Sequence, residues 1–287
     1  MSEIAIEQQQ YKTYVLSDGN AQAAVVPERG GIVTHWQVEG MDLFYLDSDR
    51  FKDPALTVRG GIPLLFPICG NLAEDTYSLN DQTYKLPPHG FARNLPWQIT
   101  KQSTDAGASL TISLKSSETT RLSYPFDFEL DYTYTLHSNS LELRCRHTNL
   151  SAQPMPFSTG IHPYFAIADK SQLSVDFPSS EYQSKGGAEV LSFSGQFDFE
   201  QDEIDFSFIN LQGRSATVTD KSRNLKLTVE YDDHYSTLVF WAVKGKDFYC
   251  LEPWTAPRNA LNTRKNLLVA EPGTTVETMI KMTAEIG

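Results

Sequence analysis

Cysteine is scarce in this 287-residue chain, and the little there is cannot build a frame. Cys69, Cys145 and Cys250 are odd in number, widely spaced and never in a CxxC pair. They are expected as buried free thiols in a reducing compartment, not as disulfides or a zinc site. No run of 18 apolar residues occurs, which excludes a membrane-spanning helix. The opening stretch MSEIAIEQQQ carries Glu3 and Glu7 and lacks the basic, apolar, small-residue order of a secretory signal. A cytoplasmic location is the expectation. Positive charge is in deficit, with 24 Lys and Arg against 36 Asp and Glu and a formal charge of -12. Nucleic acid selects basic surfaces, so it is not an expected partner. A phosphorylated small molecule is not excluded, because one or two local arginines override a net field at short range. Also missing are a Walker loop, a dinucleotide fingerprint, a GxSxG elbow, internal repeats and any amphipathic helix of ten or more residues.

What is present is alternation. ASLTISLKSS (108–117) places Leu110, Ile112 and Leu114 on one face. The same period predicts strands over 127–138, 140–150, 215–220, 224–232, 237–245 and 275–286, with short strand units between 12 and 47. Polar or glycine turns such as HSNS, DKSRN and KGKD separate them at hairpin spacing. The chain therefore reads as all-β, a large sandwich or barrel, and with no linker-like tract it is expected to form a single domain over 1–287.

Three segments break the alternation with dense Gly, Pro and functional side chains. In VRGGIPLLFPICGNL (58–72), Arg59 precedes two glycines that allow close backbone approach, and Pro63 and Pro67 stiffen the path. In LPPHGFARNLPW (86–97), His89 and Arg93 flank Gly90 and Phe91. An arginine there can be a multidonor clamp for hydroxyls, carboxylate or phosphate, or a plain ion pair. In YCLEPWTAPRNALNT (249–263), Glu252 ends an apolar strand-like run and precedes Pro253 and Trp254. Arg258 in this segment either contributes to a pocket or braces its loop. Glu271 in AEPGTT shares the Glu-Pro start but leads into a turn and is the weaker carboxylate.

STGIHPYFAIAD (158–169) adds His162 among Phe157, Ile161, Tyr164 and Phe165. Asp205 in EIDFSFINL is flanked by Ile204 and Phe206, where an unpaired charge is costly, so it pairs with a cation or faces the same cavity. A carboxylate and an imidazole tuned by burial supply a base and an acid together. With no nucleophile motif or nicotinamide or flavin site, they suit proton transfers on a neutral polyhydroxylated molecule. Opening a sugar ring is such a reaction: the base deprotonates the anomeric hydroxyl while the acid protonates the ring oxygen. The open aldehyde rotates and recloses as the other anomer. His162 and Glu252, ninety positions apart, are expected on opposite sides of one sugar-sized hollow.

RGGIP, HGFAR, TGIHPYF and CLEPW, in this order, resemble the aldose 1-epimerase (mutarotase) superfamily, closest to its hexose-6-phosphate 1-epimerase-like branch. The likeness runs from about residue 15 to 285. It implies a large antiparallel two-sheet β-supersandwich, the galactose mutarotase-like fold, and a cofactor-independent isomerase. It further implies His162 as catalytic acid and Glu252 as catalytic base. Asp205 would bind sugar hydroxyls and help hold the acid, His89 would contact substrate, and Arg59 and Arg93 would line a phosphate end. The chain departs from the phosphosugar branch at LLFPICG, where that branch has an aromatic stretch ending in FG. It departs again at EPWTAPRNALN, where the branch has Glu-Pro-Gly. Free and phosphorylated hexoses both stay open as substrate. The competing readings are a non-catalytic carbohydrate-binding protein and a metal-dependent isomerase using His89, His162, Asp205 and Glu252. A monomer or weak homodimer, acting on a small-molecule sugar or sugar phosphate, is expected.

Overall fold

Each of the seven longer strands expected from alternation forms within two residues of its expected ends in the computed structural model, which describes all residues Met1–Gly287. The α-helices are confined to Ser48–Lys52, Glu118–Ser123 and Ala260–Thr263, and no helix is long and apolar enough to cross a membrane.

The first eight-stranded sheet runs Leu173–Asp176, Ser215–Asp220, Leu225–Tyr231, Thr275–Ile286, Ser140–Asn149, Phe128–His137, Ala108–Lys115, Gln98–Ser103. Its pairings are all antiparallel, and a bulge between Thr111 and Ile112 shifts the register at the last of them. In Phe128–His137 every second residue is buried, from Phe128 to Leu136, while the residues between are only partly covered. This is the two-residue period that puts one face of a strand on a core. The second large sheet has at its centre Glu203–Phe208, Thr237–Val243 and Phe248–Trp254, and then Gly160–Ile161 and Leu64–Leu65. Side chains from both sheets, among them Leu143, Leu227 and Met282 facing Phe240, Tyr249 and Leu251, meet in one apolar core. The expected large antiparallel two-sheet β-sandwich is thus present.

A third, five-stranded antiparallel sheet spans Ser2–Gln8 to Met41–Asp42. Its first strand was not legible in the sequence, because it is an edge strand with a mostly exposed face and makes almost no core pattern.

The RGGIP segment crosses the third sheet at very close range. Ile62 N–H donates to Val33 O at 2.9 Å. A Cβ on Gly61 would lie 2.0 Å from that same oxygen, and the residue has φ +57. Only glycine fits both the space and the dihedral. The crossing then delivers Pro63 O to the N–H of His162 and Gly61 O to the N–H of Tyr164. The histidine backbone is therefore held from outside its own short strand.

Candidate active site

Strand Phe248–Trp254 is buried along its whole length. Alternation sends Tyr249 and Leu251 into the main core and leaves Cys250, Glu252 and Trp254 on the opposite face. Pro253, which has no N–H to give, sits opposite Leu238. His162 lies between two short strands paired to this one, Gly160–Ile161 through Gly160 and Trp254, and Tyr164–Ala166 through Tyr164 and Cys250. The pairing brings the imidazole over the carboxylate face. His162 Nε2 stands 3.4 Å from Glu252 Oε1, and both side chains are almost wholly covered. They adjoin each other on one wall instead of facing each other across the hollow. Side-by-side groups still suit the ring opening expected from the sequence, because the anomeric oxygen and the ring oxygen of a sugar are bonded to the same carbon.

The hollow before this pair has a volume of about 450 Å³, and its wall includes Arg59, His89, His162, Asp205, Glu252 and Arg258. That lies in the ordinary range of roughly 300–1,000 Å³ for small-molecule sites. Its wall also holds the partly exposed Trp241, which offers apolar ring surface, and the buried Trp254. Trp241 stands edge-on to the His162 ring at 5.6 Å, and Tyr164 stacks on it at 4.8 Å.

Burial dominates the electrostatics. It pushes the Glu252 carboxyl well above the usual carboxylate range, helped by the negative Asp205 and opposed by Arg258, the Trp254 N–H and Arg93. It pulls His162 down to about 3, and Arg93, Arg258 and Arg59 add to that effect. Two neutral groups in contact hold one mobile proton between them. Trp254 Nε1–H donates to Glu252 Oε2 at 3.2 Å, which leaves Oε1 to His162. His162 Nδ1 is buried without a hydrogen-bond partner.

His89 stands next to the pair, its ring 5.4 Å from that of His162 and 5.6 Å from Trp254. Its Nδ1 accepts the Gly70 N–H at 3.1 Å, while the backbone N–H of His89 donates to Gly70 O at 2.7 Å. With Nδ1 an acceptor, the ring proton sits on Nε2. Burial and the neighbouring His162, Arg93 and Arg258 hold this imidazole well below its ordinary pKa, so it remains a neutral donor.

Asp205 faces the hollow and is 9% exposed. It meets both halves of its sequence expectation, because Arg258 Nη2 donates to its Oδ1 at 2.6 Å. Lys185 stands 3.8 Å from its other oxygen. Its contacts are thus to cations, and it is Pro63, through its carbonyl, that holds the His162 backbone. The residue the sequence left undecided is Arg258. It donates to Ser207 at 2.5 Å as well as to Asp205, and lies over the Trp254 ring at 5.0 Å. Sequence reading missed Ser207, Glu203 and Lys185. The signal was available in EIDFSF, where Glu203, Asp205 and Ser207 alternate with Ile204, Phe206 and Phe208 and so share one strand face.

The two arginines expected at a phosphate end part company. Arg59 lines the hollow, and its guanidinium makes no hydrogen bond or ion pair with the protein. Arg93 is half-buried, donates from Nη2 to Pro88 O at 2.8 Å and is absent from the wall. Its charge nonetheless reaches His162 and Glu252. Of the four residues proposed for metal, only His162 and Glu252 bring donor atoms together. The third donor beside them is Cys250.

Comparison with known proteins agrees with this geometry. Residues 12–283 match the family described as aldose 1-epimerase. The crystal structure of the Slr1438 protein from Synechocystis sp. PCC 6803 is 40% identical, covers 100% of both chains and superposes with a TM-score of 0.95. Protein LacX of Lactococcus lactis subsp. lactis is 26% identical over 245 residues, covering 76% of this chain and 80% of its own. An Escherichia coli (strain K12) protein with the provisional name glucose-6-phosphate 1-epimerase is 28% identical over 218 residues, covering 74% of this chain and 68% of its own.

Proposed function

The chain belongs to the aldose 1-epimerase family and interconverts the anomers of an aldose or a related sugar phosphate, and from that premise we propose that Glu252 and His162 are its base and acid, working as one unit that carries a single proton. The observation that carries this reading is the 3.4 Å contact between Nε2 and Oε1 at the wall of the hollow. In the reactive arrangement the proton is on His162 and Glu252 is ionised. Glu252 takes the proton from the anomeric hydroxyl while His162 gives its own to the ring oxygen, and the bond between that oxygen and the anomeric carbon breaks. The pair is then a neutral imidazole and a protonated carboxyl, the form burial favours. Rotation of the aldehyde and the reverse transfers close the other anomer. Each such group contributes on the order of 10² to 10⁴ in rate.

Around the pair, His89 Nε2–H, Asp205 Oδ2, which accepts no hydrogen bond within the protein, and the Arg59 guanidinium are the binding groups for the sugar. The unpaired Arg59 supports a 6-phosphorylated hexose as substrate, since its exposed guanidinium at the rim of the hollow can meet a phosphate with two donors. The provisional name of the E. coli relative is in keeping with that choice. A free hexose is the second reading, favoured by Arg93, whose bond to Pro88 O turns one Nη to the backbone. Polarimetry or NMR exchange on matched free and 6-phosphorylated hexoses tests both. A higher kcat/KM for the phosphorylated member, lost in Arg59→Gln, is the expected result. Equal values in the wild type would sink the phosphate reading.

A further inference from the structure

The family chemistry uses Glu252 and His162 but gives no work to the third polarisable group beside them. Cys250 is fully buried on the same strand face as Glu252, two residues earlier. Through the Tyr164 to Cys250 register it also comes under His162. One donor atom from each of His162, Cys250 and Glu252 lies within 4.8 Å of the other two. We propose that these three side chains form an inhibitory site for a thiophilic divalent cation, with zinc as its test ion. This rests on the acid and base roles given above.

The geometry requires only small adjustment. Zinc bonds of about 2.0–2.3 Å place the donors of one tetrahedron roughly 3.3–3.8 Å apart. His162 Nε2 and Glu252 Oε1 already stand at 3.4 Å, so the thiol closes the remaining gap by side-chain rotation. Trp254 holds Oε2, which presents Oε1 to the ion. His162 and Glu252 both line the hollow, so a water or a sugar hydroxyl would complete the shell from that side.

Charge balance points the same way. Before binding, the thiol is protonated and the His162–Glu252 pair holds one proton, so the cluster is neutral. Binding releases both protons to solvent and leaves one thiolate, one carboxylate, one neutral imidazole and one dication, again neutral. A buried cluster thus accepts the ion without acquiring net charge. One sulfur, one nitrogen and one oxygen suit zinc or cobalt and do not suit magnesium or calcium, which require all-oxygen shells. His162 Nδ1 has no acceptor behind it, so the imidazole lacks the usual orienting partner of a zinc ligand and the ion remains removable. Occupancy takes the lone pair of the acid and the oxygen of the base together, and turnover stops.

The test uses the purified full chain, stripped with chelator, in two assays. Zinc is titrated against anomer interconversion, and cobalt is titrated while the thiolate-to-metal absorption band is followed. One equivalent is expected to abolish turnover, with full recovery in excess chelator, and cobalt is expected to raise the band. Cys250→Ala, and Cys250→Ser as a variant that better preserves volume, should turn over within a few-fold of wild type without metal. Both should require at least roughly 100-fold more zinc for the same inhibition, since losing a direct ligand costs no less than the roughly 10–100-fold lost with an outer-shell partner. Equal zinc sensitivity in the Cys250 variants, or no band with cobalt, overturns the site. A cobalt band that needs Cys250 while zinc leaves turnover intact overturns the acid and base assignment instead.

Discussion

Arg258 and Asp205, 53 positions apart in the chain, meet with Nη2 to Oδ1 at 2.6 Å, and the same guanidinium covers the face of Trp254. Trp254 in turn donates to Glu252. The loop that follows the strand therefore folds back to hold the Asp205 carboxylate in place and to pack the ring that donates to Glu252.

Removing that guanidinium should leave Asp205 with only Lys185 at 3.8 Å. Arg258→Met is expected to cost about 2–4 kcal/mol in urea unfolding, because breaking one partner strands a covered charge. Adding Asp205→Leu to it should recover part of the loss, since a stranded charge and not a missing contact is the cause. Stability that is unchanged in the single variant would contradict the brace.

Glu252→Gln and His162→Gln should each lower kcat by roughly 10² to 10⁴. The double variant is expected to be hardly slower than the worse single one, as groups that act as a unit are not additive. Sugar binding, read by calorimetry, should persist in all three. Losses that multiply in the double variant would mean that the two side chains work separately.

Acid should destabilise the fold through histidine, and His147 isolates the effect because it lies away from the hollow. It is fully buried, bonded to Tyr132 at 2.8 Å and held down to about 3 by burial. The unfolded chain takes up this proton below about pH 6.5 while the folded chain refuses it until about pH 3. Stability from this group is therefore complete above that window and falls as pH drops through it, by up to about 1.4 kcal/mol per pH unit. Urea titrations of His147→Gln should show a slope against pH shallower by as much as one proton. A parallel slope would refute the assignment.

Gly90 carries the turn that presents His89. A Cβ there would lie 2.2 Å from Phe66 O, at φ +69. Gly90→Ala should push the turn outward and lower kcat/KM by roughly 10²-fold, the scale of a 1 Å misplacement. Measuring Tm alongside separates a displaced histidine from general unfolding. Unchanged kinetics would remove His89 from the substrate's contacts.

The strands were readable because alternation is a property of neighbouring residues. Phe128–His137 and Thr275–Ile286 show which face is buried without reference to anything distant. The polar segments were readable as well, since Arg59, His89, His162 and Glu252 stand among glycines, prolines and aromatics that a solvated loop does not need. The structure gathers all four at one wall, together with the expected Asp205. Arg93 was grouped with them on local context, but its own turn brings Pro88 O to its guanidinium.

Proximity between distant segments had no counterpart in the linear text. That His162 touches Glu252 instead of facing it follows from the register of Tyr164 on Cys250, and that Arg258 serves Asp205 follows from where a loop returns after a strand. A one-residue slip in the Tyr164–Cys250 register would turn the strand's side chains to the other face. Chain chemistry set which groups were available and what they could do; inter-strand hydrogen bonding, which acts between residues far apart in the chain, set which of them meet.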